Sequence, residues 1–199
     1  MEPPTAAARI DRSTTRRAVL GGVAVAALGS IAGCFGNEET ANAPDPISID
    51  AEQACDNCTM VIGNHPGPAG QSHYEDPTAV LDEDRPAQFC STLCTYAFTF
   101  DHEQESEPVV SYLTDYSAVE YEVDDSGQRT VISRHLEADA FGDASELTMI
   151  ADSEVEGAMG KSMIPFADAD QADEFQAEYG GDSYENDEVT QELIMSLMN

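Results

Sequence analysis

The chain has 199 residues, 39 acidic and 8 basic, for a formal net charge of −31 at pH 7. A surface this negative repels phosphate backbones and anionic lipid head groups. Nucleic-acid binding through a basic patch and electrostatic attachment to a membrane are both excluded. With 41% hydrophobic residues, 7% aromatics and no Trp, the chain has apolar matter for one compact unit or two small modules. The acids are interspersed with apolar residues, which is the pattern of a folded acidic surface rather than a solvating tail. Such a surface suits a halophile, because at molar salt the Debye length is about 3 Å and self-repulsion is screened.

Thr15-Arg16-Arg17-Ala18-Val19-Leu20 is a twin-arginine pattern that opens an apolar stretch from Ala18 to Ala32. That stretch has the length of a signal h-region and is short for a bilayer span. It ends Ser30-Ile31-Ala32-Gly33-Cys34, a small-small-Cys ending that resembles a lipobox. Residues 1–33 therefore read as a twin-arginine signal peptide and Cys34 as the lipidation site. This predicts export of the folded protein and a lipid anchor at the outer face of the cytoplasmic membrane. Residues 1–33 hold four of the eight basic residues and the acids Glu2 and Asp11, so 34–199 carry 4 basic and 37 acidic residues. Residues 34–50 are polar and contain Pro44 and Pro46, and read as a flexible, disordered tether.

Folding signals run from Ala51 to Gly181. Ile47 to Ile49, Met60 to Ile62, Gln71 to Tyr74 and Val109 to Thr114 have the composition of short strands. Asn64-His65-Pro66-Gly67-Pro68-Ala69-Gly70 is a loop, since its prolines and glycines cannot continue a ladder. Ser91 to Phe100 fits a short helix with Cys90, Cys94 and Ala97 or Phe98 on one side. Ala118 to Val123 and Arg129 to Ser133 flank the turn signal Asp124-Asp125-Ser126-Gly127, and Leu147 to Ala151 is a further strand candidate. Asp168 caps a helix with Gln171 three residues on, Ala172, Phe175 and Tyr179 as its apolar stripe and Gly180 as its stop. Val189, Leu193 and Leu197 make a last amphipathic turn or two. Each half thus has several strands and a helix, with no residue-level repeat. The expected division is a first metal-motif module at 51–116, a second module at 117–184 and a helical tail at 185–199.

Beyond Cys34 the cysteines are Cys55, Cys58, Cys90 and Cys94. Cys55-Asp56-Asn57-Cys58-Thr59-Met60 places two thiols and a thioether within six residues. Soft donors of this kind select Cu(I) over hard ions. If Cys58 to Met60 is extended, Cys58 and Met60 share a face. Met159 and Met163 from the second half, and His65 and His73 from the first, are candidate further donors. Three plainer readings compete. C-x2-C with a later C-x3-C can be a four-cysteine zinc site, the same four can form two disulfides in an exported protein, and the methionines can be core. Spacing alone leaves zinc, disulfides and copper open. His102 and His135 have no partner by sequence. A thiol–disulfide oxidoreductase using Cys55 and Cys58 is disfavoured, because this C-x2-C does not precede a helix in a βαβ pattern. No Ser-His-Asp set, phosphate loop or carboxylate pair stands out, so no enzyme is predicted.

Cys58-Thr59-Met60, followed by His65-Pro66-Gly67-Pro68 and Gln71, resembles the NosL family. The second half agrees through Gly157-Ala158-Met159-Gly160, Pro165-Phe166-Ala167-Asp168-Ala169 and the helix ending Tyr179-Gly180-Gly181. These motifs span Cys55 to Gly181. The family comprises copper-binding lipoproteins that help assemble the copper centres of nitrous oxide reductase. The resemblance implies an α+β fold of two similar ββαβ-type modules after the leader and tether. It implies one Cu(I) per chain, passed to nitrous oxide reductase through its membrane assembly complex. It also implies a metal set of Cys58, Met60 and Met159, with His65 as a ligand or as a shaper of its loop. The alternative is a structural zinc at Cys55, Cys58, Cys90 and Cys94 that recruits a partner. Thr59 stands where the family often has Gly, a change expected to matter little because the middle side chain of an extended triplet points away.

Overall fold

Short strands separated by Pro, Gly and Asp carry the fold, each too brief to be stable except in a sheet. The computed structural model describes residues 43–198. The twin-arginine motif, the apolar stretch after it, Cys34 and the first part of the expected tether lie outside the described residues.

The architecture is α+β, as the sequence leads one to expect, and it is built on one motif used twice. In the first use, β1 (Gly70–His73) pairs antiparallel with β2 (Ala87–Phe89). Helix α1 (Thr92–Asp101) follows, and β3 (Val110–Thr114) returns to the other side of β1. A connecting segment contributes β4 (Val123–Asp124), β5 (Thr130–Ile132) and β6 (Phe141–Asp143). In the second use, β7 (Thr148–Gly157) pairs antiparallel with β8 (Gly160–Phe166). Helix α2 (Ala169–Tyr179) follows, and β9 (Asp182–Tyr184) returns beside β7. Both halves are thus ββαβ units in which the third strand flanks the first.

The connecting segment is shared between the sheets. Strand β6 extends the first sheet to the order β2-β1-β3-β6, while β4 and β5 join the second through a parallel β5–β7 pairing. Helix α3 (Gln191–Leu197) closes the chain. Among the described residues, no helix is long and apolar enough to cross a membrane.

Both helices start where a cap residue stands. The Ser91 hydroxyl accepts from the Cys94 N–H at 3.0 Å, and the Asp168 carboxylate from the Gln171 N–H at 3.0 Å. The period-2 pattern of β7 and β8 buries both faces of that hairpin. Met149, Ala151 and Met163 face a core shared with Leu93 of α1 and Ile194 and Leu197 of α3. Ile150, Ile164 and Phe166 face a second core with Ala172 and Phe175 of α2. Met163 is therefore core.

Three expected strands differ. Ile47–Ile49 joins no ladder, because the buried Gln71 side chain takes the place of a strand partner. Its amide donates to the Ile47 carbonyl at 2.7 Å and its oxygen accepts the Ile47 N–H at 3.0 Å. Met60–Ile62 is interrupted: Val61 makes a single bridge to Ala54, and a 3-10 turn follows at Ile62–Asn64. Of 118–123 only Val123 enters a strand. The short strands β2, β6 and β9 have too few residues to show an alternating pattern, and β8, buried on both faces, reads as a continuous apolar run rather than an alternation.

The two halves touch through a pair of glycines. A Cβ on Gly67, whose φ is +88°, would lie 2.6 Å from the Gly157 Cα, and one on Gly157 would meet Ser162 Oγ at 2.8 Å and Pro68 at 3.6 Å. This close approach presses the His-Pro-Gly-Pro loop against the β7–β8 turn that carries Met159. Gly67→Ala should therefore cost about 3 kcal/mol, from left-handed strain plus overpacking. A lowered urea midpoint in high salt is the measurement. Gly127→Ala, in an open turn with nothing nearer than 3.7 Å, should leave the midpoint nearly unchanged.

Candidate metal centre

The Cys55–Met60 segment is a tight loop. The Cys55 N–H donates to the Met60 carbonyl at 2.8 Å, and the Thr59 N–H to the Cys55 carbonyl at 2.8 Å. The loop is docked on β2. The Asp56 N–H donates to the Gln88 carbonyl at 2.9 Å, and the Gln88 N–H donates back to the Asp56 carboxylate at 2.7 Å. Arg85 grips the same carboxylate with both Nη atoms, each at 2.7 Å. Such forked, charge-assisted bonding contributes about 1–3 kcal/mol and fixes orientation as well. The Asp56 and Glu83 carboxylates hold the Arg85 guanidinium firmly protonated.

This docking carries Cys55 and Cys58 to the point where β2 runs into α1. Cys90 directly follows β2, and Cys94 sits in the first turn of the helix. The four sulfurs lie within 4.8 Å of one another. Cys58 Sγ is 3.4 Å from Cys90 Sγ, and Cys90 Sγ is 3.8 Å from Cys94 Sγ. Cys55, Cys90 and Cys94 are buried, and Cys58 is half-buried. Among the described residues, these four are the set of Cys, His, Asp and Glu side chains placed to hold a metal ion. Met60 and Met159 pack against the apolar core that contains Cys55, Cys90 and Cys94, and Met159 reaches the core of β7 and β8 as well.

Crowding decides the protonation of these thiols. Hydrogen bonds from the Cys90 and Cys94 thiols favour a thiolate at Cys55 and pull it far below the usual thiol range. That thiolate, together with burial, pushes Cys90 and Cys94 up, Cys94 to about 12. Beside the cluster stands Arg134, which sequence reading missed. Its guanidinium donates to the main-chain carbonyls of His65, Pro66 at 2.9 Å and Cys90 at 2.8 Å. Burial pushes it below the ordinary arginine value, against the pull of Tyr116, Cys90 and Cys55. Its one sequence signal is scarcity: it is one of only four cations after residue 33.

The structure gathers Cys55, Cys58, Cys90 and Cys94, the set the zinc alternative names, and places Met60 and Met159 on the apolar core around three of them. The His65 carbonyl accepts from Arg134, and its imidazole is not among the side chains gathered with the four cysteines. The other histidines have structural partners elsewhere. His73 bonds Gln71 at 3.2 Å, His102 stacks on Phe98, and His135 bonds Ser133 at 3.0 Å.

Thr59 requires a correction. The Cys58–Met60 triplet is not extended, and Thr59 has φ +64°. That left-handed conformation favours Gly and is disfavoured for a β-branched residue.

Fold and site together define a small α+β protein with a largely buried thiol quartet that can hold a soft metal. The sequence profile of the NosL family matches residues 46–194, and the chain belongs to that family. It is 25% identical over 164 residues to the copper-binding lipoprotein NosL of Stutzerimonas stutzeri, spanning 82% of this chain and 76% of that protein. It also resembles the crystal structure of the copper chaperone NosL from Shewanella denitrificans. There the TM-score is 0.58 and the identity 26%, over 73% of this chain and 95% of that one.

Thr59→Gly should stabilise the protein by about 1 kcal/mol, the relief of left-handed strain less the entropy cost of Gly. A raised urea midpoint would show it. An unchanged or lowered midpoint would mean that the loop holds Thr59 without strain.

Proposed function

We propose that this protein is an extracytoplasmic Cu(I) metallochaperone, lipid-anchored at Cys34 and exported by the twin-arginine route. It hands one copper ion per chain to the maturing nitrous oxide reductase through a membrane assembly complex. The observation that carries the reading is the meeting of four cysteine sulfurs within 4.8 Å, with Met60 and Met159 packed on the apolar core that contains three of them. Thiolates and thioethers together suit Cu(I). The copper-binding lipoprotein of Stutzerimonas stutzeri and the copper chaperone of Shewanella denitrificans support the same choice.

Copper is cargo here, so the chemistry is ligand exchange rather than turnover. Cys58 is the first donor and the half-buried one, which leaves it accessible to an incoming ligand. Met60 and Met159 add neutral, weakly held donors on the half-buried side. Cys55, Cys90 and Cys94 extend the set from within. His65 shapes the loop through its carbonyl.

The sulfur spacing favours a second reading, a structural zinc held by the four cysteines. A tetrahedral Zn–S bond of about 2.3 Å puts sulfurs about 3.8 Å apart, close to the 3.4 and 3.8 Å seen.

Native mass spectrometry of the protein purified without oxygen in high salt decides between them. One Cu(I) per chain is expected, lost in Cys58→Ser and retained more weakly in Met60→Leu. A tightly held zinc with no copper uptake, whose removal by chelator unfolds the protein, would overturn the copper reading. Protons report on the donor set. Cys90 and Cys94 hold theirs above neutral pH, so copper uptake should release more than one proton per ion, and affinity should rise from pH 6 to pH 8. Release of one proton or fewer in weakly buffered solution would leave at least one of Cys90 and Cys94 outside the donor set.

A further inference from the structure

Residues 34–199 hold four cations, and three of them face carboxylates. Arg85 pairs with Asp56 and Glu83, Arg129 with Glu156, and Lys161 with Asp152. Among the described residues, Arg134 has no carboxylate partner, in a segment with 37 acidic residues. Its Nη1 is buried and makes no hydrogen bond. A buried, charged N–H without a partner is costly unless negative charge is close by. Its remaining nitrogens are spoken for. Nε donates to the His65 carbonyl, and Nη2 to the carbonyls of Pro66 at 2.9 Å and Cys90 at 2.8 Å. These bonds anchor the guanidinium beside a member of the thiol quartet.

We propose that Arg134 is the built-in counter-cation of the thiol centre, a positioning residue that offsets the negative charge the sulfurs carry when they hold a metal. The proposal rests on the reading that this cluster binds a soft metal. Each thiolate brings one negative charge. A monovalent ion on two or more thiolates, or a divalent ion on three or more, leaves the centre net negative. In buried surroundings such an excess is expensive, and the net negative charge of the rest of the segment adds to it. An arginine suits the task because it keeps its proton at any working pH, and because carbonyls hold its fork in place without cancelling its charge.

Two variants test the idea, Arg134→Met, which keeps the stem and removes the charge, and Arg134→Lys, which keeps the charge and loses the fork. Cu(I) affinity is read by competition against bathocuproine disulfonate, and Cd(II) affinity by thiolate charge-transfer absorption. Arg134→Met should weaken both ions by about 10- to 100-fold, the usual effect of removing an outer partner of metal ligands. Arg134→Lys should stay within about threefold of the wild type, well short of that range. A folded Arg134→Met with wild-type affinities overturns the proposal. So does an Arg134→Lys that falls as far as Arg134→Met, which would reduce Arg134 to a clasp on three carbonyls. If Arg134→Met does not fold, Arg134→Lys decides alone: retained affinity upholds the counter-cation and a tenfold loss refutes it. A wild type that takes up Cd(II) but not Cu(I) sinks the copper reading only, and the Cd(II) comparison still judges Arg134.

Discussion

Four sulfurs within 4.8 Å cannot all be thiolates unless positive charge stands among or beside them. Much in this protein follows from that constraint. Crowding favours a thiolate at Cys55 and keeps the protons on Cys90 and Cys94. The surrounding structure must keep the sulfurs converged against that repulsion.

That convergence is built from hydrogen bonding as well as from apolar burial. The Cys55–Met60 loop is closed by its own hydrogen bonds and docked on β2 by the reciprocal Asp56–Gln88 pair. Arg85 fixes Asp56 from outside. Cys90 and Cys94 are set by the end of β2 and by the Ser91 cap of α1. The contact of Gly67 with Gly157 joins the two ββαβ units beside Met159, which packs on the apolar core that contains Cys55, Cys90 and Cys94. Helix α1 is the common wall, since Cys94 and Phe98 face the thiol side while Leu93 faces the core shared with α3.

The helices were legible in the sequence because caps, apolar spacing and stop residues are local signals. Ser91 and Asp168 stand where the structure uses them. The ββαβ repetition was legible through resemblance to a family and not through periodicity, since strands as short as Ala87–Phe89 and Asp182–Tyr184 have no room for a pattern. Ile47–Ile49 looked like a strand because its alternation is real, but the Gln71 amide supplies its partner. The thiol site was legible as one of several options. The spacing C-x2-C with C-x3-C let Cys55, Cys58, Cys90 and Cys94 be named as one metal set, and the structure gathers those four. Spacing could not choose among zinc, disulfides and copper, because the convergence is a tertiary event across more than thirty residues. Thr59 shows the opposite error: an extended triplet was the simplest geometry, and a five-residue closure overrode it.

Burial around the centre is uneven, and the unevenness has a direction. Cys55, Cys90 and Cys94 lie inside, whereas Cys58, Met60 and Met159 are half-buried. Cys58 and Met60 flank the one strained residue of the loop, Thr59, whose left-handed backbone turns the chain between them. A loop closed at Cys55 and Met60 cannot relax that strain by opening at its ends. The conformation persists because the docking on β2 outweighs it. On the copper reading, the accessible sulfurs are then the first an incoming donor meets, while the inner thiols hold the ion until exchange is under way. A site with every donor buried would bind but would not release, and one with every donor exposed would release to any ligand. The graded burial from Cys94 to Cys58 lies between these limits, as a carrier requires.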